Sequence, residues 1–427
     1  MINLSLVVGL PDSWKVATIT MIPKKISGSS NPDDYRGISL LSCVGKLAER
    51  VVRNRLYRFL ESNKLIINEQ SGFRNNRGTA DNLVFMTQKI QERLGRKNGS
   101  KACGVFFDIS KAFDKVWHAG LIYKLVYLGV PIYLIRFVRN FLSNRFFKVK
   151  INNKFSNLFP MTCSVPQGSV LGPLLFLVFI GDIPLANAKN SNYSALFADD
   201  LGALFFFKKP APVERLINKY LTELMSWLSS WRLTMNASKC MYTIFSGGGR
   251  GGISLNLRLF GKEIPYNPKP VFLGITFDER LCFNEHYSNL RERALKRLNI
   301  IKIFSHCSWH FSKKTLINVY RALIGSLFDY SFFTISCVSC TNLKSIQTVQ
   351  NRAIRCIFRL KWDSPTKDLF PLSNILELKP RFLQMGSRYI INCFKFENRF
   401  TYLLVLVHGR RTQLNLMLHL PLWELST

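Results

Sequence analysis

The chain has 427 residues, 47% of them hydrophobic, with 59 Lys and Arg against 26 Asp and Glu, a formal net charge of +33. This excludes a disordered chain, leaves room for about two to four domains or subdomains, and points to a polyanionic partner held by counterion release from phosphates. No apolar run reaches the roughly 18 residues of a membrane span, and MINLSLVVGL lacks the basic region and cleavage site of a signal peptide, so an intracellular, membrane-free setting in nucleus or cytoplasm is expected.

In chain order, GKLAERVVRNRLYRFLE (45–61) comes first, with Leu47, Val51, Leu56, Phe59 and Leu60 at helical spacing and four arginines between them. It predicts an amphipathic helix with a basic face. After the polar stretch NEQSGFRNNRG, TADNLVFMTQKIQERL predicts a second helix with Thr79 as N-cap and Asp81 in its first turn. ACGVFFDI (102–109) is short, apolar and aromatic and reads as a buried strand ending at an acid. Helices around 120–143 follow, and NRFFKVKINNKFS alternates about an Asn-Asn turn, a hairpin signal. Residues 213–231 set Leu216, Tyr220, Leu224, Trp227 and Trp231 on one helical face; the strand CMYTIF (240–245) and the glycine cluster SGGGRGG (246–252) come next. Beyond about 285 the pattern is helical and basic. Strands alternating with helices, then helices alone, predict an α+β core with an appended helical domain.

The segment SALFADDLGALFFF (194–207) carries Asp199 and Asp200 side by side among apolar residues. A carboxylate taken out of water is costly unless a partner or a metal compensates it, so either the chain surfaces there or a positive group meets the acids. The flanks predict two strands joined at a tight hairpin with the acids at its tip. Because strand side chains alternate between faces, one acid projects into a shared site and the other reaches it from the turn. Asp33 and Asp34, in SSNPDDYRG, are the contrast, since their Pro and Asn announce a solvated turn. Asp108, in VFFDISKAFDKVWH, ends another apolar strand. Two such strand ends side by side suit a pair of divalent cations; acids salt-bridged to the abundant Arg and Lys are the alternative that spacing leaves open. Of the ten cysteines, Cys337 and Cys340 have CxxC spacing with His306 and Cys307 upstream. Lacking a second close pair, they read as reduced thiols rather than a zinc site.

Seven blocks in order carry a resemblance: IPKK with DYRGISLLSCVGKLAERVVRNRL, NEQSGFRNNRGTADNL, FFDISKAFDKVWH, SVPQGSVLGPLLF, FADD, LTMNASKCMYTIF and VFLGITFD. Over about residues 19 to 278 the chain resembles the reverse transcriptases of non-LTR, LINE-like retrotransposons, the jockey group in particular. The resemblance implies a right-hand polymerase with a reverse transcriptase domain at about 4–278: fingers at 1–102, palm at 103–280 with part of the fingers within about 120–165, an all-helical thumb at 281–370, and a tail of unclear origin at 371–427. It implies an RNA-directed DNA polymerase using two Mg²⁺ (Mn²⁺ as the substitute), with an RNA template, a DNA primer, their hybrid and deoxynucleoside triphosphates as partners.

The same resemblance assigns roles. Asp199 and Asp108 are the principal metal ligands, Asp200 completes the catalytic set, and the Ile109 carbonyl touches the second metal. Phe113 lies under the incoming sugar, where its ring would clash with a 2′-hydroxyl. Gln167 and Gly168, in SVPQGS, sit beside the nucleotide; by residue type, Ser169 or Gly172 can cap the apolar helix that follows. Arg74 and Arg77 face the triphosphate, and Lys239 protonates the departing pyrophosphate. Leu273 and Gly274 grip the primer end, while Arg291, Arg293, Lys296 and Arg297, against the single acid Glu292, track a duplex backbone. By residue type alone, a core phenylalanine, a loop glutamine and surface arginines are the alternatives.

Gly37 stands where the family usually has proline, and Ser164 where it often has glycine; neither change removes a catalytic group. No endonuclease, RNase H or Cys/His-knuckle block is legible, so target cleavage is expected from another chain or a missing segment. The final stretch from ENRFTYLL matches nothing recognisable. Intact Asp108, Asp199 and Asp200 favour an enzyme; a decayed, truncated remnant that only binds nucleic acid is the alternative.

Overall fold

The computed structural model describes residues 10–24, 31–94, 100–186, 192–247 and 252–396. The interior of the glycine cluster, the start MINLSLVVG and the final stretch lie outside the described residues.

The first sheet gathers residues from two distant stretches. β1 (Val16–Pro23) pairs antiparallel with β2 (Tyr35–Leu40), and helices α1 (Cys43–Ser62) and α2 (Thr79–Leu94) follow. After β3 (Lys101–Asp108), α3 (His118–Tyr127) and α4 (Ile132–Leu142), the chain returns as β4 (Phe146–Ile151), parallel to β1. β4 then turns through Asn152 and Asn153, at φ 47° and 64°, onto β5 (Lys154–Phe155), and also pairs with β6 (Phe159–Pro160). Two consecutive left-handed residues are what a type I′ hairpin needs, and asparagine tolerates them. The hairpin expected from KINNKF is therefore present.

The second sheet carries the acids. α5 (Gly172–Phe179) precedes β7 (Tyr193–Phe197) and β8 (Asp200–Phe207); α6 (Pro210–Ser230) and β9 (Met241–Phe245) complete the unit. The order is β7-β8-β3-β9, every neighbour antiparallel. Alternation along β3 divides the core: Cys103, Val105 and Phe107 pack with the helices α3 to α6, whereas Ala102 and Phe106 pack with α2 and the C-terminal helices. A sheet buried on both faces explains why its strands read as nearly unbroken apolar runs.

Two short hairpins, β10 (Arg258–Leu259) with β11 (Lys262–Glu263) and β12 (Val271–Phe272) with β13 (Ile275–Thr276), lead into the helical unit. There α7 (Asn284–Phe304) packs on α10 (Cys340–Phe358), with α8 (Lys313–Tyr320) and α9 (Ser326–Asp329) beside them, joined by a π turn at Arg321–Gly325. The helices continue past the boundary expected at 370: α11 (Thr366–Ser373) and α12 (Leu378–Lys395) belong to the same unit. α12 buries Leu378, Phe382 and Cys393, its Arg381 forks onto Asp329 at 3.1 and 2.8 Å, and Tyr389 donates to Asp81 Oδ1 at 3.0 Å. Among the described residues, no helix is long and apolar enough to cross a membrane.

One helical face departs from expectation. Leu47 is 63% exposed, and the buried stripe of α1 is Gly45, Glu49, Val52, Leu56 and Leu60. Glu49 enters the core because its carboxylate has backbone partners there, described below.

Candidate active site

Cross-strand register builds the centre. Asp108, last residue of β3, is paired directly with Asp200, first residue of β8, and Asp200 is paired on its other side with Phe197. Directly opposed residues of an antiparallel pair share a face, so Asp108 and Asp200 lie on one side of the sheet end. Ala198 and Asp199 form the two-residue turn between β7 and β8, so Asp199 reaches the site from the turn, and the chain surfaces at the acids. The strands bury the apolar residues; the carboxylates stand at the rim.

That turn is clamped. Ala198 holds φ 55°, a left-handed conformation that alanine rarely adopts. The buried Gln70 amide grips it from both sides: its Oε1 accepts from Ala198 N at 2.9 Å and from Gly72 N at 2.8 Å, and its Nε2 donates to Ala198 O at 3.2 Å. A side chain on Gly72 would bring its Cβ within 2.4 Å of Ala198 N, so only glycine allows this approach. Asn82 Nδ2 donates to Leu196 O at 2.6 Å, extending the clamp. Gln70 lies in the stretch NEQSG, but residue order carries no sign of a partner 128 positions away.

The electrostatics are those of crowded acids. Burial, then the Asp108 charge, raises the Asp199 carboxyl, while Arg36 pulls it down. Partial desolvation, then Asp199 and Asp108, pushes Asp200 up to about 6. Lys239 Nζ stands 3.7 Å from Asp108 Oδ2. It is delivered by a strap in which Ser110 N donates to Thr234 O and Asn236 N to Asp108 O, at 2.9 and 3.0 Å. These bonds flank the Ile109–Met235 bridge and leave the Ile109 carbonyl out of it. Among the described residues, no group of three or more His, Cys, Asp or Glu side chains is arranged as a metal-ligand set. The donor chemistry still suits a hard cation: three carboxyl groups gather at one sheet end, and burial with crowding raises Asp199 and Asp200.

Around the acids, Phe113 stacks on Phe176 (centroids 4.4 Å, 23°) with Phe73 edge-on at 6.1 Å. The Phe113 carbonyl accepts from Val165 N at 3.0 Å, joining it to SVPQGS. Gln167 Nε2 donates to Asp114 Oδ1 at 3.0 Å, and its carbonyl accepts from Ser39 N at 2.7 Å. Gly168 sits at φ 121°, and a Cβ there would lie 2.5 Å from Ser39 O, so the turn requires glycine. Beyond it, Ser169 Oγ accepts from Gly172 N at 3.0 Å, but the residue in the cap position is Leu171, which makes no side-chain cap bond, so neither Ser169 nor Gly172 is the N-cap. Glu49 Oε2 accepts from Val170 N and Leu171 N at 2.7 and 3.0 Å, and desolvation raises this carboxyl. Glu49 thus ties α1 to the glutamine loop.

Two expectations change. Arg74 does not present its fork to a ligand: Nε and Nη2 donate to the Glu61 carboxylate at 2.8 and 2.7 Å, and Nη1 donates to Ile67 O at 2.9 Å. With only 6% of its side chain exposed, Arg74 organises the loop. Arg77 is more open and donates to Asn68 O at 2.8 Å. The Asp33 turn is not merely solvated either: Lys111 Nζ lies 2.9 Å from Asp33 Oδ1 and holds that carboxyl below its ordinary range, docking the turn three residues past Asp108. Asp33 and Arg36 thus bring the β1–β2 connection to the site, a proximity that motif spacing did not disclose.

On the other flank, Leu273 and Gly274 turn β12 into β13 at φ 47° and 76°, and Tyr330 Oη donates to Leu273 O at 2.7 Å. His286 Nδ1 accepts from Thr276 N at 3.5 Å and Nε2 meets Ser331 Oγ at 2.9 Å; burial, then Arg293, pulls this histidine down to about 4. On α7, Arg291 and Arg293 are exposed, Lys296 pairs with Glu292 at 2.7 Å, and Arg297 donates to Leu323 O at 2.6 Å. The last two are partly committed within the helical unit.

Residues 22–277, more than half of the chain, match the family described as reverse transcriptase (RNA-dependent DNA polymerase). The chain belongs to that family. Its α+β architecture with a helical extension is the right-hand polymerase fold. The chain is 31% identical over 394 residues to the RNA-directed DNA polymerase from mobile element jockey of Drosophila melanogaster, covering 89% of this chain and 42% of that protein. It is 32% identical over 359 residues to the probable RNA-directed DNA polymerase from transposon BS of the same species, covering 81% and 38%. The expected jockey-like, non-LTR kinship is borne out, and the chain spans less than half the length of these relatives. A solved telomerase from Candida tropicalis, in complex with a telomeric RNA fragment, aligns at 12% identity and TM-score 0.44 over 89% of this chain and 62% of that one.

Proposed function

We propose that this reverse transcriptase chain copies RNA into DNA for retrotransposition. The 3′-hydroxyl of a primer attacks the α-phosphate of a template-paired deoxynucleoside triphosphate, forming the phosphodiester and releasing pyrophosphate. The observation carrying this reading is the register that sets Asp108 across from Asp200, with Asp199 in the adjoining turn.

Asp108, Asp199, Asp200 and the Ile109 carbonyl would hold two Mg²⁺, or Mn²⁺, which when bound would acidify the primer hydroxyl and stabilise charge on the phosphates. The chain's residues do the rest. Phe113, backed by Phe176, gives the sugar a fixed floor with no room for a 2′-hydroxyl. Gln167, tethered to Asp114 and Ser39, positions the nascent base pair, and Gly168 lets the backbone close on it. Arg77 and Arg36 meet the triphosphate in place of the committed Arg74, and Lys239 delivers a proton to pyrophosphate. The Leu273–Gly274 turn holds the primer end, and Arg291 and Arg293, with Lys296 and Arg297 behind them, follow the hybrid's backbone.

Primer extension on poly(rA)/oligo(dT) with Mg²⁺ tests this. Extension should appear, vanish on chelation, and vanish in Asp199→Ala, which should still bind RNA in a salt-sensitive way. Binding without extension across several metals and salt concentrations would leave the nucleic-acid-binding remnant as the correct reading. Parallel loss of binding and extension in Asp199→Ala would count against the metal role.

A further inference from the structure

The turn between α7 and α8 is absorbed by none of the roles above. Here Trp309 and Phe311 lie parallel, 5° apart in plane with centroids at 6.1 Å. Phe304 meets both edge-on, at 5.6 and 5.5 Å, and is itself anchored in the core of the helical unit. Trp309 is 51% exposed and Phe311 41%. The turn is stiffened on both sides: His306 Nδ1 meets Ser308 Oγ at 2.8 Å, and Ser312 Oγ accepts from Thr315 N at 3.1 Å. Rings this open, held this firmly, offer flat apolar area to a partner rather than to the core.

The surrounding charge selects the partner. No Asp or Glu occurs from residue 293 through 328, whereas Lys302 closes α7 and Lys313 and Lys314 open α8 on either side of the rings. None of these three lysines forms an ion pair among the described residues. A second copy of this chain, with its net charge of +33, would find its basic groups opposed; a phosphate backbone would find a regular row of counter-charges. Paired bases hide their faces inside a duplex, so exposed rings gain from unpaired bases alone.

We propose that Trp309 and Phe311 form a stacking platform for an unpaired RNA strand, whose phosphates are met by Lys302, Lys313 and Lys314. The site is separate from the acid cluster and does not rest on polymerase activity, because binding is measured without deoxynucleotides or divalent ions.

The test uses the full chain and two labelled probes of equal length, a single-stranded RNA and a blunt RNA/DNA hybrid, titrated by fluorescence anisotropy. Trp309→Ala/Phe311→Ala should weaken the RNA strand at least about tenfold, and the hybrid by less than about twofold. Trp309→Tyr/Phe311→Tyr should keep both affinities, and Lys313→Gln/Lys314→Gln should weaken both probes and flatten the salt dependence. Parental affinity for the strand in the alanine variant, or equal losses on both probes while the tyrosine variant binds normally, would overturn the platform. So would a change in self-association by light scattering with RNA binding unaltered, since the rings would then face another copy.

Discussion

Gln70 shows what a single amide can do for the turn that carries Asp199. It satisfies Ala198 N and O and Gly72 N at once, in a buried spot. Each buried backbone group stripped of its partner costs about 1–3 kcal/mol, and the left-handed Ala198 relaxes when released. Gln70→Ala is therefore expected to cut primer extension at least tenfold and lower the melting temperature, with RNA affinity nearly intact; unchanged extension would show that the strands alone hold Asp199. Phe113 carries a second prediction at this scale. Supported from below by Phe176, its ring cannot retreat, so shrinking it to Val should admit ribonucleotides at least tenfold more readily. Sugar discrimination equal to the parent would place the gate elsewhere. Asp108, Asp199, Asp200, Phe113 and Gln167 were singled out in the sequence because their blocks are local, and the strand register brings the three acids to one sheet end. Gln70, Glu49 and Arg36 were not, since each acts on a residue brought near only by the fold, and the pairing of Arg74 with Glu61 was not foreseen because Glu61 lies in another element.

At the scale of elements, periodicity and turn chemistry identified the two hairpins, at Asn152–Asn153 and Ala198–Asp199, because two-residue turns leave local traces. Helix faces were harder: α1 turns Leu47 outward and Glu49 inward, since the buried carboxylate is satisfied by backbone donors of a loop 121 residues away. The β12–β13 hairpin is governed in the same long-range fashion. Its turn residue Leu273 accepts from Tyr330, and its last strand donates to His286, so both contacts come from the helical unit. Tyr330→Phe removes one hydroxyl and little volume. It should loosen the hairpin, shortening products several-fold in an extension assay with a heparin trap, while addition of the first nucleotide stays within about twofold. Full-length products under the trap would mean that Tyr330 does not hold the primer end.

The whole molecule is dominated by charge. With 59 basic against 26 acidic residues, the chain repels itself, and the acid-free stretch from 293 through 328 concentrates that excess on the helical unit. The unit is held to the rest by contacts of the kind Tyr389 makes with Asp81, so its basic surface keeps a fixed relation to the sheet end where the carboxylates stand. A nucleic acid spanning both would release many counterions. For a single strand, log affinity falls with log salt at about 0.7 per phosphate contact, so some six contacts imply roughly a 300-fold loss between 50 and 200 mM salt. Binding of a 20-nucleotide RNA across that range should show this slope. Asp199→Ala should leave the slope unaltered, because a carboxylate makes no favourable contact with a phosphate, and Arg291→Gln/Arg293→Gln should reduce it on the RNA/DNA hybrid by up to about two contacts. A slope near one for the parent chain would mean that its charge serves something other than a polyanion, and would remove the physical basis for placing RNA on this surface.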